Sequence, residues 1–438
     1  MYADAFNWQF NHGTDLKGRF SFLPLFSKVE PDVFVDFDET GYVIGKVTKN
    51  VVREITNGNY TDVHIFSHGW NTTAKEAREL YKDWIANYCK LLEEHPLPDD
   101  YKPFLLGVTW PSIILDSDSE EEEKATLTDI DMKRRIEDLI PSGDPIREEF
   151  EKLCRMDLTT EVHVAEESSR IYRLFELVSP LYSFGEDAMD GLGAEQPTYK
   201  EVAEAFISTF DNRPQVLGLP ASPLLIKLFR ILSFWTMRDR AALVGRNGVH
   251  DLLTEILTKT NCRVHLSGHS FGAEVMLSAV AKKTEGTWPY RKICTMLLLQ
   301  PAVISKGFVE GKLGVYRQAL DRVKMPVVST FSKNDKALRL WFPLALMIRS
   351  GKINKAVEGL NDPGEGQPSK YSALGGHPPF NITGGLNIEG ASAIGDYYAF
   401  PPCGLCAIRM HNEISNHSDI DNQATNWLMR SLMCGSFS

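Results

Sequence analysis

Residues 262–280 read Cys-Arg-Val-His-Leu-Ser-Gly-His-Ser-Phe-Gly-Ala-Glu-Val-Met-Leu-Ser-Ala-Val, and they constrain the fold more than any other stretch. An apolar strand passes through a Gly-x-Ser-x-Gly turn, Gly268 to Gly272, straight into a helix. So short a link requires a sharp strand-to-helix turn, which lifts the Ser270 hydroxyl above the edge of a sheet. The two glycines let the backbones approach closely, and the helix N-terminus favours negative charge beside the serine. Gly and Ser at roughly 7% each give about 0.15 chance matches to the bare pattern in a chain this long. The flanking strand and helix therefore carry the weight against the plainer reading, a Gly-rich turn. Ser270 is the candidate nucleophile.

The rest of the chain has the rhythm of a parallel sheet with crossover helices. Apolar strands are predicted at Asp62–Ser67, Phe104–Trp110, Ile293–Leu299 and Val327–Phe331, and helices at Ala74–Leu92 and Phe308–Val323. Val33–Asp38 and Tyr42–Val47 suggest a hairpin through Glu39-Thr-Gly41, and Ile414–Leu432 a closing helix. Three parts are expected. Residues 1–112 and 241–438 form the two halves of an α/β core, and 113–240 form a largely helical insertion before the nucleophile strand. Within the insertion, Asp116–Glu123 reads as a solvated acidic loop. Residues 351–400 form a Gly/Pro-rich excursion from the second half. The apolar run Leu224–Met237 is either a lid helix facing an acyl chain or a helix packed in the core.

A serine hydroxyl needs a base to take its proton and a third group to orient that base. Of eleven histidines, three follow Ser270: His377, His411 and His417. His417 lies on a loop before the last helix and is the favoured base. His411 is second, and His377 sits in a rigid Gly-Gly-His-Pro-Pro turn. Asp335 follows an apolar strand and is the favoured acid, the alternative being a helix cap. The preceding strand ends in Gln300-Pro-Ala and offers no acid. For the oxyanion, the Phe271 N–H is the first expected donor. The second is the Trp70 N–H in His68-Gly69-Trp70, where Gly69 permits a tight backbone. His269 and Trp110 are expected to touch substrate.

Taken together, His68-Gly69-Trp70, Gly268-His269-Ser270-Phe271-Gly272, Asn334-Asp335 and His417-Ser418-Asp419 resemble the α/β-hydrolase superfamily of serine esterases and lipases. The resemblance covers roughly residues 30–112 and 240–432. It implies an eight-stranded, mostly parallel sheet flanked by helices, and a covalent acyl-enzyme on Ser270 without a cofactor. The expected substrate is a small acyl ester or a lipid. The same residues also serve acyl transfer, thioester cleavage or peptide cleavage, and a non-catalytic interaction protein on this scaffold is a further alternative.

Other function classes are poorly matched. A net charge of −11 argues against a nucleic-acid partner. No apolar run reaches the 18 residues of a membrane span, although the Leu224–Met237 segment leaves peripheral membrane contact open. Seven scattered cysteines and the absence of a leader-like N-terminus lead to the expectation of a cytoplasmic chain. Cys403-x2-Cys406-x4-His411-x5-His417 approaches zinc spacing, but Pro401-Pro402 and the lack of an earlier cysteine pair leave no metal expected there.

Overall fold

The computed structural model describes residues 31–45, 47–98, 100–112, 234–282, 288–289, 291–311, 314–349, 371–379 and 386–437. Its centre is one eight-stranded sheet. The strands are β1 (Val33–Asp36), β2 (Asp62–Ser67), β3 (Pro103–Thr109), β4 (Arg263–His269), β5 (Thr295–Leu299), β6 (Val327–Phe331), β7 (Leu386–Ile388) and β8 (Leu405–Arg409). They lie in the order β1-β3-β2-β4-β5-β6-β8-β7, and every pair is parallel. Helices cover both faces of the parallel sheet, so β2, β3, β5 and β6 are buried at every residue, with apolar side chains predominating in β3 and β5 and buried polar ones mixed into β2 and β6. The pairing of β2 with β4, Asp62 opposite Arg263 through Ser67 opposite Gly268, joins the two sequence halves directly.

Successive strand residues point to opposite faces, and two apolar layers result. One holds Val63, Ile65, Leu106, Val264 and Leu266 under α1 (Val47–Asn57), α3 (His250–Lys259) and α4 (Phe271–Ala281). The other holds Phe66, Leu105, Leu297 and Val328 under α2 (Ala74–Glu94) and α7 (Gln423–Gly435). Two short helices, α5 (Arg317–Arg322) and α6 (Phe342–Arg349), follow β5 and β6. Thr73 and Glu76 start α2 with a reciprocal capping box, and its Ala77, Tyr81, Trp84, Ile85 and Tyr88 face the sheet. Trp84 Nε1–H donates to Asn426 Oδ1 at 2.9 Å, linking α2 to α7. Burial of each large apolar side chain contributes roughly 1.5–3 kcal/mol against about 1 kcal/mol for such a bond, so packing dominates.

The structure corrects several sequence expectations. Tyr42–Val47 is not a strand: β1 pairs in parallel with β3, and a single antiparallel bridge, Phe37 to Val43, remains of the hairpin. Val35 and Phe37 are buried in the core, whereas Tyr42 and Ile44 are 60% and 57% exposed, so the second arm is held only briefly, by the Asp38 N–H to Tyr42 O and Ile44 N–H to Asp36 O bonds and by Val43 against the core. Residues 308–323 are interrupted at Gly311 (φ +90°), leaving a 3₁₀ turn at Ser305–Phe308 and the short α5. The last helix begins at Gln423, not Ile414, because Asn422 caps it. Of the apolar run 224–237, residues 224–233 lie outside the described residues. Phe234, Trp235 and Met237 are buried, in keeping with core packing. The helices expected between 132 and 210 and the acidic run 116–123 also lie outside the described residues. Among the described residues, no helix is long and apolar enough to cross a membrane.

Beneath the sheet's helical layer lies a buried polar cluster. Asp62 accepts hydrogen bonds from Arg263 Nε–H and from His265 Nε2–H, at 2.8 and 2.9 Å. Burial works against the Asp62 carboxylate, but Arg263, His265 and Thr61 outweigh it and hold its pKa at about 2. Burial pushes the pKa of His64 well down and lowers that of His265. Their folded pKa values are depressed below the unfolded value near 6.5, so stability is full above that pH and falls as the pH drops below it. Asp62 acts only at lower pH: its contribution is present above 3.8 and is lost as the pH falls towards 2. Urea midpoints measured from pH 7.5 to 4.5 are therefore expected to decline. Each buried histidine contributes a slope of up to about 1.4 kcal/mol per pH unit. In His64→Phe the decline should be shallower.

Candidate active site

All strands being parallel, their C-terminal ends meet at one edge, and the predicted site residues leave the sheet there. Ser270 joins β4 to α4 with φ 55° and ψ −121°, a conformation rarely tolerated outside glycine. The strain is offset by tight anchoring: the Ser270 N–H donates to Leu299 O, and Ser270 O accepts from Ala273 and Ala302 N–H, all at 3.1 Å. A Cβ on Gly272 would lie 2.2 Å from Ser67 O, and one on Gly268 would lie 2.5 Å from Gly272 O. The turn therefore closes only with glycine at both positions. Four non-glycine residues among those described have positive φ, and three of them, Asn71, Ser270 and Gln300, follow β2, β4 and β5 at this same edge. Strain of this kind concentrates where geometry serves chemistry.

His417 reaches Ser270 from the loop between β8 and α7. Its Nδ1–H donates to Asp335 Oδ2 at 2.7 Å, which fixes the tautomer, and its Nε2 accepts from Ser270 Oγ–H at 2.8 Å. Asp335, fully buried after β6, also accepts Leu338 N–H at Oδ1 and Gln300 Nε2–H at Oδ2, each at 2.9 Å. Leu338 N–H is the helix-cap bond read as the alternative for Asp335; the carboxylate makes both contacts. The acid loop and the base loop are strapped together. Asn334 Nδ2–H donates to His411 O and Ile414 O, and Ser332 Oγ–H donates to Ile414 O. Asp419 folds the base loop by accepting from Ser415 N–H and Oγ–H.

The loop after β2 is equally fixed. Tyr81 Oη–H donates to Val108 O and accepts His68 N–H. The His68 ring stacks on Trp110, with centroids 5.4 Å apart and planes 11° from parallel. Its Nε2 accepts Trp110 N–H, so its Nδ1–H donates to Gly69 O. Burial lowers the His68 pKa to about 4, keeping the ring neutral. A Cβ on Gly69 would stand 2.8 Å from Ser270 Cβ, which shows how closely this loop passes the serine. Among the described residues, neither Trp70 N–H nor Phe271 N–H has a backbone acceptor. Trp70, Phe234, Phe271 and Phe342 form one aromatic cluster beside the serine, with centroids 5.1–6.2 Å apart.

The structure thus brings together Ser270, Asp335, His417, Gly69, Trp70 and Phe271. It places two others differently. His269 is buried, and its Nε2–H donates to the His417 carbonyl at 2.9 Å, so it supports the base loop. Burial, with His417 nearby, pushes its pKa down to about 3. Trp110 is 2% exposed, stacked on His68, with Nε1–H donating to His68 O; it too is support. His411 accepts Lys333 N–H at Nδ1 and props the acid loop, while His377 belongs to a turn closed on Ala373 O. The four zinc-spaced residues do not assemble: Cys406 is buried in β8, Cys403 is exposed, and no cluster of three metal donors occurs among the described residues. Sequence reasoning passed over Gln300 as a residue without a carboxylate, and its contact with Asp335 depends on loops far apart in sequence. Comparison with protein-family models, with curated proteins and with solved structures finds no match for this chain.

Proposed function

We propose that the chain is a serine hydrolase with an α/β-hydrolase fold, acting on carboxylic esters through an acyl-enzyme on Ser270. One observation carries the reading: an unbroken Ser270–His417–Asp335 hydrogen-bond chain, at 2.8 and 2.7 Å, on a serine held at positive φ. Such a chain activates a hydroxyl that is otherwise a weak nucleophile.

In the first step Ser270 Oγ attacks the ester carbonyl carbon, and its proton passes to His417 Nε2. The carbonyl oxygen becomes an oxyanion facing the Trp70 and Phe271 N–H groups. Each such donor is worth about 2.7–4 kcal/mol of barrier. Collapse breaks the bond to the alcohol oxygen, which takes the proton from His417. Water then attacks the acyl-enzyme, giving its proton to His417, and the carboxylic acid leaves as the proton returns to Ser270. Asp335 holds the His417 Nδ1–H throughout and so orients and stabilises the imidazolium. Trp70, the partly exposed member of the aromatic cluster, supports an apolar acyl group.

A fluorophosphonate tests the reading without knowledge of the natural ester: Ser270 attacks phosphorus, fluoride leaves, and His417 takes the proton. Wild type should gain one adduct by intact mass. Asp335→Asn and His417→Ala should label on the order of 10⁴-fold more slowly. No adduct on folded wild-type protein would overturn the proposal.

A further inference from the structure

We infer that Gln300 is a positioning residue, holding Asp335 in the orientation His417 needs; the inference rests on the serine-hydrolase reading. Gln300 is fully buried and is the first residue after β5. Its backbone sits at φ +43°, strain that an ordinary buried glutamine has no reason to carry. The carboxamide is oriented from both ends. Thr330 Oγ1–H donates to Gln300 Oε1 at 3.1 Å and accepts Gln300 N–H at 2.9 Å, so the amide nitrogen must face the other way. There Nε2–H donates to Asp335 Oδ2 at 2.9 Å and to Gly375 O at 3.3 Å.

Asp335 Oδ2 therefore receives two donors, Gln300 Nε2–H and His417 Nδ1–H, while Leu338 N–H holds Oδ1. Three fixed donors set the plane of the carboxylate. The oxygen that faces the imidazole is thus the one Gln300 holds, so its direction towards His417 Nδ1 is fixed by the amide. β5 thus contributes to the site without touching substrate. Its Gln300 acts through β6's Asp335 on β8's His417.

The test is the rate of fluorophosphonate labelling of the full chain, with the end point recorded separately. Gln300→Leu should slow labelling roughly tenfold or more while still reaching one adduct per chain. In an Asp335→Asn background the same substitution should add no further loss, because the carboxylate that Gln300 positions is gone. Gln300→Glu should depend on pH. Its protonated carboxyl donates to Asp335 as the amide does, whereas the ionised form repels it, so the rate should fall at alkaline pH, where wild type holds its rate. If Gln300→Leu does not fold, the Gln300→Glu profile decides alone. Wild-type rates in Gln300→Leu, equal losses in both backgrounds, or a Gln300→Glu profile parallel to wild type would overturn the inference. Absence of any adduct on wild type would instead overturn the serine-hydrolase reading.

Discussion

Ser270→Gly is expected to melt at a higher temperature than Ser270→Ala, although both should lose turnover by roughly 10⁶-fold. Elsewhere the order runs the other way, glycine being about 0.5–1 kcal/mol less stable than alanine in a regular element. At Ser270 the backbone is held at φ 55° and ψ −121° by bonds to Leu299 O, Ala273 N–H and Ala302 N–H, and any side chain with a Cβ is strained there. Both variants lose the Oγ–His417 hydrogen bond, so that loss cancels in the comparison. What remains is the backbone strain, on the order of 1–3 kcal/mol, which glycine releases and alanine retains. Paired thermal melts with ester-hydrolysis assays provide the check. Equal melting temperatures would mean that the elbow stores no strain. Retained turnover in either variant would remove Ser270 from the chemistry.

Gly272→Ala should produce the largest loss of stability of any one-methyl addition in the turn. The new Cβ would fall 2.2 Å from Ser67 O and 2.5 Å from His68 O. Both are backbone atoms, and they belong to the end of β2 and the loop that carries Trp70. No rotamer change relieves such a clash, so α4 must move away from the sheet. Overpacking typically costs about 1–3 kcal/mol, and a backbone-to-backbone contact on a fully buried helix belongs at or above the top of that range. Surviving folded protein should also react more slowly, because the displacement separates Ser270 from the Trp70 N–H. A misplacement of about 1 Å costs on the order of 10²-fold. Urea titration and the labelling rate per folded molecule separate the two effects. A fully stable Gly272→Ala would show that the turn has room for a Cβ between α4 and Ser67 O.

Much of this site was legible in the chain because its parts are local. A strand, a Gly-x-Ser-x-Gly turn and a helix in unbroken succession leave little freedom, and the apolar runs of β3 and β5 mark strands buried on both faces. What failed depended on distant neighbours. Tyr42–Val47 has strand-like residues, but its pairing with the end of β1 stops at the single bridge from Phe37 to Val43. His269 and Trp110 were read as substrate contacts because sequence places them beside the site without showing which way they face. In the fold, one clamps the His417 carbonyl and the other stacks on His68. The helix start at Gln423 was missed because the polar residues before it form the turn that presents His417. Gln300 was invisible for the plainest reason: its partner lies 35 residues on, across a strand boundary.

The β2–β4 ladder has a consequence for how much chain can be altered between these strands. Asp62 through Ser67 align with Arg263 through Gly268, so the connection from Ser112 to Phe234 is closed at both ends by structure that this register holds. The entropy of closing a tether grows only with the logarithm of its length, and each doubling adds about 0.6 kcal/mol. In closure entropy alone, halving or doubling that stretch costs the sheet less than one core methylene. Closure entropy therefore sets little limit on the length of that connection, while the register of six paired residues beneath Ser270 is fixed.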